Sequence, residues 1–193
     1  MSIQTRRERE RAERELLIIT AAREMAEADG WESVTTRRLA AGIEYSQPVL
    51  YSHFKGKDAI MAAVAVQGFA ELADELRAAR IAAQDPRAAL TAVAGAYAAF
   101  AERCPATYDA MFTHAVDLPF ATPQAPAALR DAFGELRAAA VPLAAPGDDP
   151  GVLTETVWSG LHGLLTLMRS GRLRRESHDL RLAMLIDRFS PPA

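Results

Sequence analysis

The fold is decided by two stretches of sequence, GWESVTTRRLA at residues 30–40 and SQPVLYSHFKGKD at residues 46–58. In the first stretch Thr35 can cap a short helix that runs through Ala41. In the second stretch Ser46 can cap another short helix, with Pro48 in its first turn. Two helices of fewer than about ten residues, packed on a longer helix that precedes them, predict a helix-turn-helix.

Outside this region, apolar residues recur every three or four positions almost throughout the chain. We expect the first helix to begin with a capping box at Thr5 and Glu8 and to end at Asp29 and Gly30. No segment alternates between apolar and polar residues for long enough to predict a strand. The sequence therefore predicts an all-α fold of about nine helices. Residues 1–56 would form a helix-turn-helix head, and residues 57–193 a helical body.

The second short helix, from Ser46 to His53, is the predicted recognition helix. Its first turn would present Ser46, Gln47 and Val49 to base edges. Glutamine can pair with adenine, and an apolar group can touch the thymine methyl. The preceding helix would offer backbone N–H groups, hydroxyls and arginines to phosphates. The predicted DNA contacts are Thr35, Thr36, Arg37, Arg38, Ser46, Gln47, Pro48, Val49, Tyr51, Ser52, His53, Lys55 and Lys57.

A structural interpretation of the same residues stays open, because short helix pairs also occur in all-α proteins that do not touch DNA. Trp31, Leu39, Leu50 and Phe54 have the residue types of a small core. His53 lies one turn before the long fourth helix and is alternatively a packed, hydrogen-bonding residue.

The charge distribution fits a head that approaches DNA and a body that does not. The chain has 193 residues and a formal net charge of −3. Residues 1–60 hold ten basic and ten acidic side chains, and residues 61–193 hold twelve and fifteen. The acidity therefore belongs to the body. Because each head brings few cations, we expect weak non-specific DNA binding and a dependence on dimerisation.

Several classes of protein are not expected from this sequence. The single cysteine, Cys104, cannot form an internal disulfide, and no apolar run is long enough to span a membrane. The charged N-terminus does not have the pattern of a signal peptide, so a cytoplasmic protein is expected. The HExxH, P-loop, GxGxxG and GxSxG motifs are all absent from the sequence. We expect neither an enzyme nor a cofactor or metal site.

The two stretches quoted above resemble the tetracycline-repressor (TetR) type of bacterial transcriptional regulator. In that family an LYxHF…K segment, here Leu50 to Lys57, ends the recognition helix and opens the fourth helix. One position departs from the family. The turn between the two short helices usually carries glycine, and here it carries Glu44. A glutamate there must either adopt a positive φ with strain or shift the turn.

A second resemblance concerns the body. The segments YAAFA at residues 97–101 and WSGLHG at residues 158–163, together with Pro105, Met111 and Phe112, are similar to TetR C-terminal domains named for a Trp–His–Gly signature. Trp158 and His162 are four residues apart and share one helix face. They either contact a ligand or pack inside the body or at a dimer interface.

The resemblance implies a ligand-responsive repressor whose body binds a small molecule and forms a homodimer through the last two helices. Binding of the effector is expected to release the repressor from DNA. The candidate ligand contacts, each of which is alternatively a core residue, are Tyr97, Phe100, Tyr108, Met111, Phe112, Phe133, Trp158, His162, Leu165 and Met168. No charged cluster occurs among them, so a largely apolar effector is expected. Two recognition helices related by two-fold symmetry predict a palindromic operator. The alternative is a helical sensor or interaction protein without DNA binding, which only Glu44 supports.

Overall fold

The structure is a computed structural model that describes residues 3–114, 116, 118–120 and 122–189. Over these residues it contains nine α-helices and no strand, which confirms the predicted all-α fold. The helices are α1 (Ile3–Asp29), α2 (Thr36–Gly42), α3 (Gln47–His53), α4 (Lys57–Ala82), α5 (Pro86–Arg103), α6 (Pro105–Phe112), α7 (Ala127–Ala140), α8 (Pro150–Arg169) and α9 (His178–Phe189). Short 3-10 turns occupy Trp31–Ser33, Val141–Leu143 and Arg175–Ser177.

The start of α1 differs from the sequence prediction. The helix begins at Ile3, so Thr5 and Glu8 lie inside its first turns and the predicted helix start at Thr5 is wrong. Alternating arginine and glutamate side chains support this early start, because Arg6 pairs with Glu10 at 2.8 Å across one helical turn.

The chain divides into two compact units. The head unit comprises Met1–Gly68 and Cys104–Pro126, and the body unit comprises Phe69–Arg103 and Ala127–Ala193. Helix α4 therefore begins in the head unit and ends in the body unit, while α6 belongs to the head unit. The predicted domain boundary between residues 56 and 57 stays a prediction.

The head unit has a small core in which α1, α2 and α3 contribute one apolar side each. Ile18, Trp31, Leu39 and Leu50 are all buried, and Phe54 is half-buried. Burial of side chains of this size stabilises a small domain by roughly 1.5–3 kcal/mol each. Of the residues predicted to form the head core, Trp31, Leu39 and Leu50 are therefore core residues, whereas Phe54 is only half-buried.

The body unit is built mainly on α5, α7, α8 and α9. Asp149 caps α8, since its Oδ1 accepts hydrogen bonds from the N–H groups of Gly151 at 2.8 Å and Val152 at 2.9 Å. Later in α8, Gly160 permits a close approach of α9, because a Cβ there would lie 2.8 Å from Leu185 Cδ1. Among the described helices, none combines the length and apolar character that a membrane crossing requires.

Candidate functional site

The turn between α2 and α3 keeps its shape although glutamate replaces the usual glycine. Glu44 adopts a φ of 58°, in the left-handed region. The N–H of Tyr45 donates to Ala40 O at 2.8 Å, and the N–H of Glu44 donates to Ala41 O at 3.3 Å. These two bonds form a Schellman motif, in which the left-handed residue normally is glycine. The sequence left two outcomes open, and the structure takes the strained one without shifting the turn.

Helix α2 begins as the sequence predicts. The Thr35 side chain accepts a hydrogen bond from the N–H of Arg38 at 3.1 Å, which confirms the cap. The hydroxyl oxygens of Thr36 and Tyr51 lie 3.3 Å apart, so these side chains tie α2 to α3. Arg37 is exposed, and the exposed Arg38 forms an ion pair with Asp29.

Helix α3 has one buried side and one exposed side. Leu50 is fully buried, whereas Val49 is 38% exposed and Tyr51 is 52% exposed. Ser46 occupies the N-cap position, but its side chain accepts no capping hydrogen bond. The exposed residues at the start of α3 and along it are called the α3 face: Ser46, Gln47, Pro48, Val49, Tyr51 and Ser52.

Two further predicted DNA contacts, His53 and Lys57, also have partners within the head unit. The His53 side chain is only 7% exposed, and its Nδ1 lies 3.3 Å from Glu15 Oε1. Hydrogen bonds from Arg11, and secondarily from His53, lower the pKa of Glu15 below its ordinary value. Lys57 Nζ donates to the backbone oxygen of Trp31 at 2.6 Å. Lys55, by contrast, is exposed beside the α3 face.

A junction between α1 and α6 holds functional candidates that sequence reasoning missed. The Glu27 carboxylate accepts hydrogen bonds from Ala106 N at 3.0 Å, Thr107 N at 2.9 Å and Thr107 Oγ1 at 2.7 Å. Trp31 Nε1 donates to Ala106 O at 2.7 Å. Glu27 thus caps a helix about 80 residues away along the chain. A spacing this large leaves no local pattern that could have predicted the contact.

Helix α4 also approaches α6 closely within the head unit. A Cβ at Gly68 would lie 2.5 Å from Thr107 Cγ2 and 2.8 Å from Met111 Sδ. Such distances leave no room for a larger residue unless the side chains of Thr107 and Met111, or α6 itself, move. We call Glu27, Trp31, Gly68, Ala106 and Thr107 the α6 junction.

The predicted ligand contacts fall in both units. Tyr108, Met111 and Phe112 belong to the head unit, where the rings of Tyr108 and Phe112 lie 4.8 Å apart. The other seven belong to the body unit. Four of these are buried: Tyr97, Phe100, Leu165 and Met168. The other three, Phe133, Trp158 and His162, are half-buried. Burial suits both core and pocket residues, so their contact with a ligand stays a prediction.

Trp158 and His162 have defined partners in the body unit. Trp158 Nε1 donates to the Tyr97 hydroxyl at 3.0 Å, and the rings of Trp158 and His162 lie 6.0 Å apart. Thr166 Oγ1 lies 3.4 Å from His162 Nε2. Burial, with a smaller contribution from the positive charge of Arg169, lowers the pKa of His162 below 6.5. This shift favours the uncharged form of the imidazole.

Metal chemistry has no candidate site in the part of the chain that the structure describes. No group of three or more His, Cys, Asp or Glu side chains there is placed to hold an ion.

Comparisons with known proteins agree with the two halves of the structure. Residues 18–64 match the family model for bacterial regulatory proteins of the tetR family, and residues 90–189 match the tetracyclin repressor-like C-terminal domain. The first match contains α2 and α3, and the second contains Tyr97, Trp158 and His162.

Two relatives carry the same assignment. The uncharacterized HTH-type transcriptional regulator YobS of Bacillus subtilis is 33% identical over 94 residues, which cover 49% of this chain and about half (49%) of that protein. The uncharacterized HTH-type transcriptional regulator Rv0681 of Mycobacterium tuberculosis is 28% identical over 155 residues, which cover 80% of this chain and 69% of that one.

Solved structures share the fold. A protein of unknown function from Rhodococcus sp. RHA1 is 24% identical with a TM-score of 0.75, and the match covers 91% of this chain and 92% of that one. A TetR variant from Acinetobacter baumannii AYE, solved in complex with minocycline, is 23% identical with a TM-score of 0.64, covering 89% and 93%. With both family models matched and the helix-turn-helix in place, the chain belongs to the TetR family of DNA-binding transcriptional regulators.

Proposed function

We propose that this regulator is a repressor that binds a palindromic operator as a homodimer and is released by a small, largely apolar effector. The observation that carries the proposal is the α3 face, where polar and apolar side chains are exposed on one side of a short helix while Leu50 anchors the other side. A helix with this division can enter the major groove and present its first turn to base edges.

The side chains around the α3 face suit two different tasks. Gln47 can pair with an adenine through two hydrogen bonds, and Val49 can touch a thymine methyl group. Tyr51, Arg37 and Lys55 are exposed and can bind phosphates on either side of the groove. His53 and Lys57 would support these contacts indirectly, because their described partners lie inside the head unit.

Exposed apolar side chains on the last two helices support a homodimer. Leu180 is 65% exposed and Met184 is 54% exposed, and the two lie one turn apart on α9. Leu167 on α8 is 41% exposed. A four-helix bundle formed from α8 and α9 of two copies would bury these side chains. Two-fold symmetry then relates the two recognition helices and gives the operator its inverted repeat.

The body unit is the proposed effector site. Its candidate residues are mainly aromatic or aliphatic, and burial lowers the pKa of His162, which favours the uncharged imidazole. An apolar molecule loses little by entering such surroundings. The fold relative from Acinetobacter baumannii was solved with minocycline, which supports a small-molecule response by analogy. To change a population from 99:1 to 1:99, the effector must favour one state by about 5.5 kcal/mol.

The α6 junction is the proposed route by which the effector changes the head. Helix α6 follows α5 directly in the chain, and within the head unit it is fixed by Glu27, Trp31 and Gly68. A displacement of α6 would have to break the Glu27 cap or move α1 and α4 with it. Either outcome alters the support of α2 and α3 and changes their fit to DNA.

Fluorescence anisotropy tests DNA binding, with DNA from around the protein's own gene as the probe. We expect tight binding that weakens as salt rises, since phosphate contacts release counterions. Gln47→Ala should weaken binding about 5-fold to 100-fold, as the loss of a base contact does. The proposal would be contradicted if the protein bound this DNA no more tightly than unrelated DNA, or if Gln47→Ala left its affinity unchanged.

Size-exclusion chromatography with light scattering tests the dimer. The double variant Leu180→Arg, Met184→Arg should be monomeric at micromolar concentration, because charges would replace the apolar contact. Ile81→Arg is the matched control, since Ile81 is 67% exposed on α4 and lies outside the proposed interface. A wild-type monomer, or a double variant that stays dimeric, would refute the α8–α9 interface.

A further inference from the structure

A cleft in the head unit, apart from every residue discussed as a base contact, has the properties of a second ligand site. Its volume is about 580 Å³, and it lies between α1 and the first half of α4. This volume falls in the range of roughly 300–1,000 Å³ that is typical of small-molecule sites. The lining residues are Thr20, Arg23, Glu24, Glu27, Ala28 and Gln67.

The wall on α1 follows from helical spacing. Thr20, Glu24 and Ala28 are each four residues apart, so their side chains lie in one row along the helix. The methyl groups of Thr20 and Ala28 and the aliphatic stem of Glu24 give this row an apolar surface. The Glu24 carboxylate is exposed and has no ion pair among the described residues. A cation bound in the cleft could therefore pair with it.

The wall on α4 contains an unsatisfied polar atom. Gln67 Oε1 is buried and has no hydrogen-bond partner among the residues that the structure describes. The next residue is Gly68, where α4 lies so close to Thr107 and Met111 that a Cβ would not fit unless these side chains moved. A buried carbonyl oxygen without a partner costs about 1–3 kcal/mol. A ligand in the cleft that draws the Gln67 amide toward it and donates an N–H to this oxygen would recover that cost.

The other two charged residues of the cleft are already engaged. The Glu27 carboxylate accepts three hydrogen bonds from Ala106 and Thr107. Arg23 Nη2 donates to Cys104 Sγ at 3.4 Å. The acceptors that remain for a ligand are the Glu24 carboxylate, the Gln67 oxygen and the Thr20 hydroxyl, of which only the carboxylate carries a charge. The lining as a whole has one positive and two negative side chains.

We propose that this cleft binds a small organic cation in which N–H donors adjoin an apolar group, as in an arylalkyl ammonium ion. The ammonium group would donate to Gln67 Oε1 and pair with Glu24, and the apolar group would lie along Thr20 and Ala28. This site differs from the proposed effector site in the residues that form it and in the charge of the ligand. Binding here requires neither DNA nor an effector in the body unit.

The test uses benzylamine, which is a cation at neutral pH, with the uncharged benzyl alcohol and the anion benzoate as matched probes. Titration of the full-length protein, followed by amide NMR spectra, should give saturable binding of benzylamine. The shifted amides should cluster at residues 20–28 and 66–68. Benzyl alcohol should bind at least about fivefold more weakly, because it lacks the charge-assisted contact, and benzoate should not bind.

Two variants and one control assign the site. Gln67→Leu and Glu24→Gln should each weaken benzylamine binding at least about fivefold. Glu13→Gln changes an exposed carboxylate of the same helix outside the cleft and should leave binding unchanged. Unfolding curves confirm that each variant is folded, and we expect Gln67→Leu to raise the melting temperature. No saturable shift at residues 20–28, or equal affinity in all three variants, would overturn the proposal.

Discussion

The head unit and the body unit differ in where they place their candidate functional side chains. In the head unit the α3 face is exposed and surrounds a single buried anchor, Leu50. In the body unit Tyr97, Phe100 and Leu165 are buried among residues of the same chemical kind. An exposed polar side chain does not contribute to a core, so its type and spacing remain available for recognition. A buried aromatic side chain can serve packing and binding at once, and its residue type does not separate the two.

The largest expected effect comes from substituting the buried and the exposed side of α3 one at a time. Leu50→Ala should lower the free energy of unfolding by about 3 kcal/mol, because it leaves a cavity in a small core. Its neighbour Val49 is the matched control, since it is 38% exposed while Leu50 is fully buried. Val49→Ala should change stability by less than about 0.5 kcal/mol but should weaken operator binding. Urea denaturation and fluorescence anisotropy measure the two quantities.

The division of α3 would be refuted by the opposite pattern. If Val49→Ala destabilises the protein as much as Leu50→Ala does, then Val49 belongs to the core and the α3 face is misassigned.

A smaller effect is expected from the hydrogen bond between Trp158 and Tyr97 in the body unit. Tyr97→Phe removes the hydroxyl that accepts the indole N–H at 3.0 Å and should cost about 1 kcal/mol of stability. Operator affinity without effector should stay within about twofold, because no base contact changes. Trp158→Phe and the double variant complete a double-mutant cycle. Independent effects of the two substitutions would show that this bond does not stabilise the body unit.

The strained turn at Glu44 predicts a stabilising substitution whose effect on the free energy of unfolding is similar to or smaller than that of Tyr97→Phe. Glu44→Gly should raise the free energy of unfolding by up to about 1 kcal/mol, since glycine adopts a positive φ without steric cost. Gly30→Ala is the matched reverse change, because Gly30 has a φ of 78° and open space around its Cβ position. It should destabilise by a comparable amount. Thermal unfolding that shows Glu44→Gly to be neutral or destabilising would mean that the glutamate side chain offsets its own strain.

The smallest predicted effect is the pH response of His162. Burial lowers its pKa in the folded protein, whereas in the unfolded chain the pKa is near 6.5. The unfolded state therefore binds the proton more readily, so His162 leaves stability intact above pH 6.5 and reduces it as the pH falls toward the folded value. His162→Gln should flatten this part of the stability profile. An NMR titration with a His162 pKa above 6.5 would reverse the sign.

Much of the fold was predictable from sequence because its signals are local. The cap at Thr35, the cap at Asp149 and the apolar spacing each involve residues within one or two turns. The start of α1 was predicted wrongly because arginine–glutamate pairs extend the helix beyond a plausible cap at Thr5. The division into units was not predictable either, since α6 joins the head unit through contacts about 80 residues apart.

The candidate site was predictable only in part. The α3 face is local, so residue types at neighbouring positions indicated it. The inward partners of His53 and Lys57 depend on where Glu15 and Trp31 lie in space, which the sequence does not specify. The same holds for the cleft at Gln67, because its two walls come from helices that are far apart in the chain.

The central claim is that the α3 face reads DNA in a two-fold symmetric dimer, and selection from a random DNA library tests it most directly. We predict that the wild-type protein enriches an inverted repeat whose half-sites are centred about one DNA turn (10–11 base pairs) apart or slightly more. Gln47→Ala should lose the preference for one base at two symmetric positions and keep the rest. No enriched sequence, or a Gln47→Ala profile identical to that of the wild type, would contradict the account.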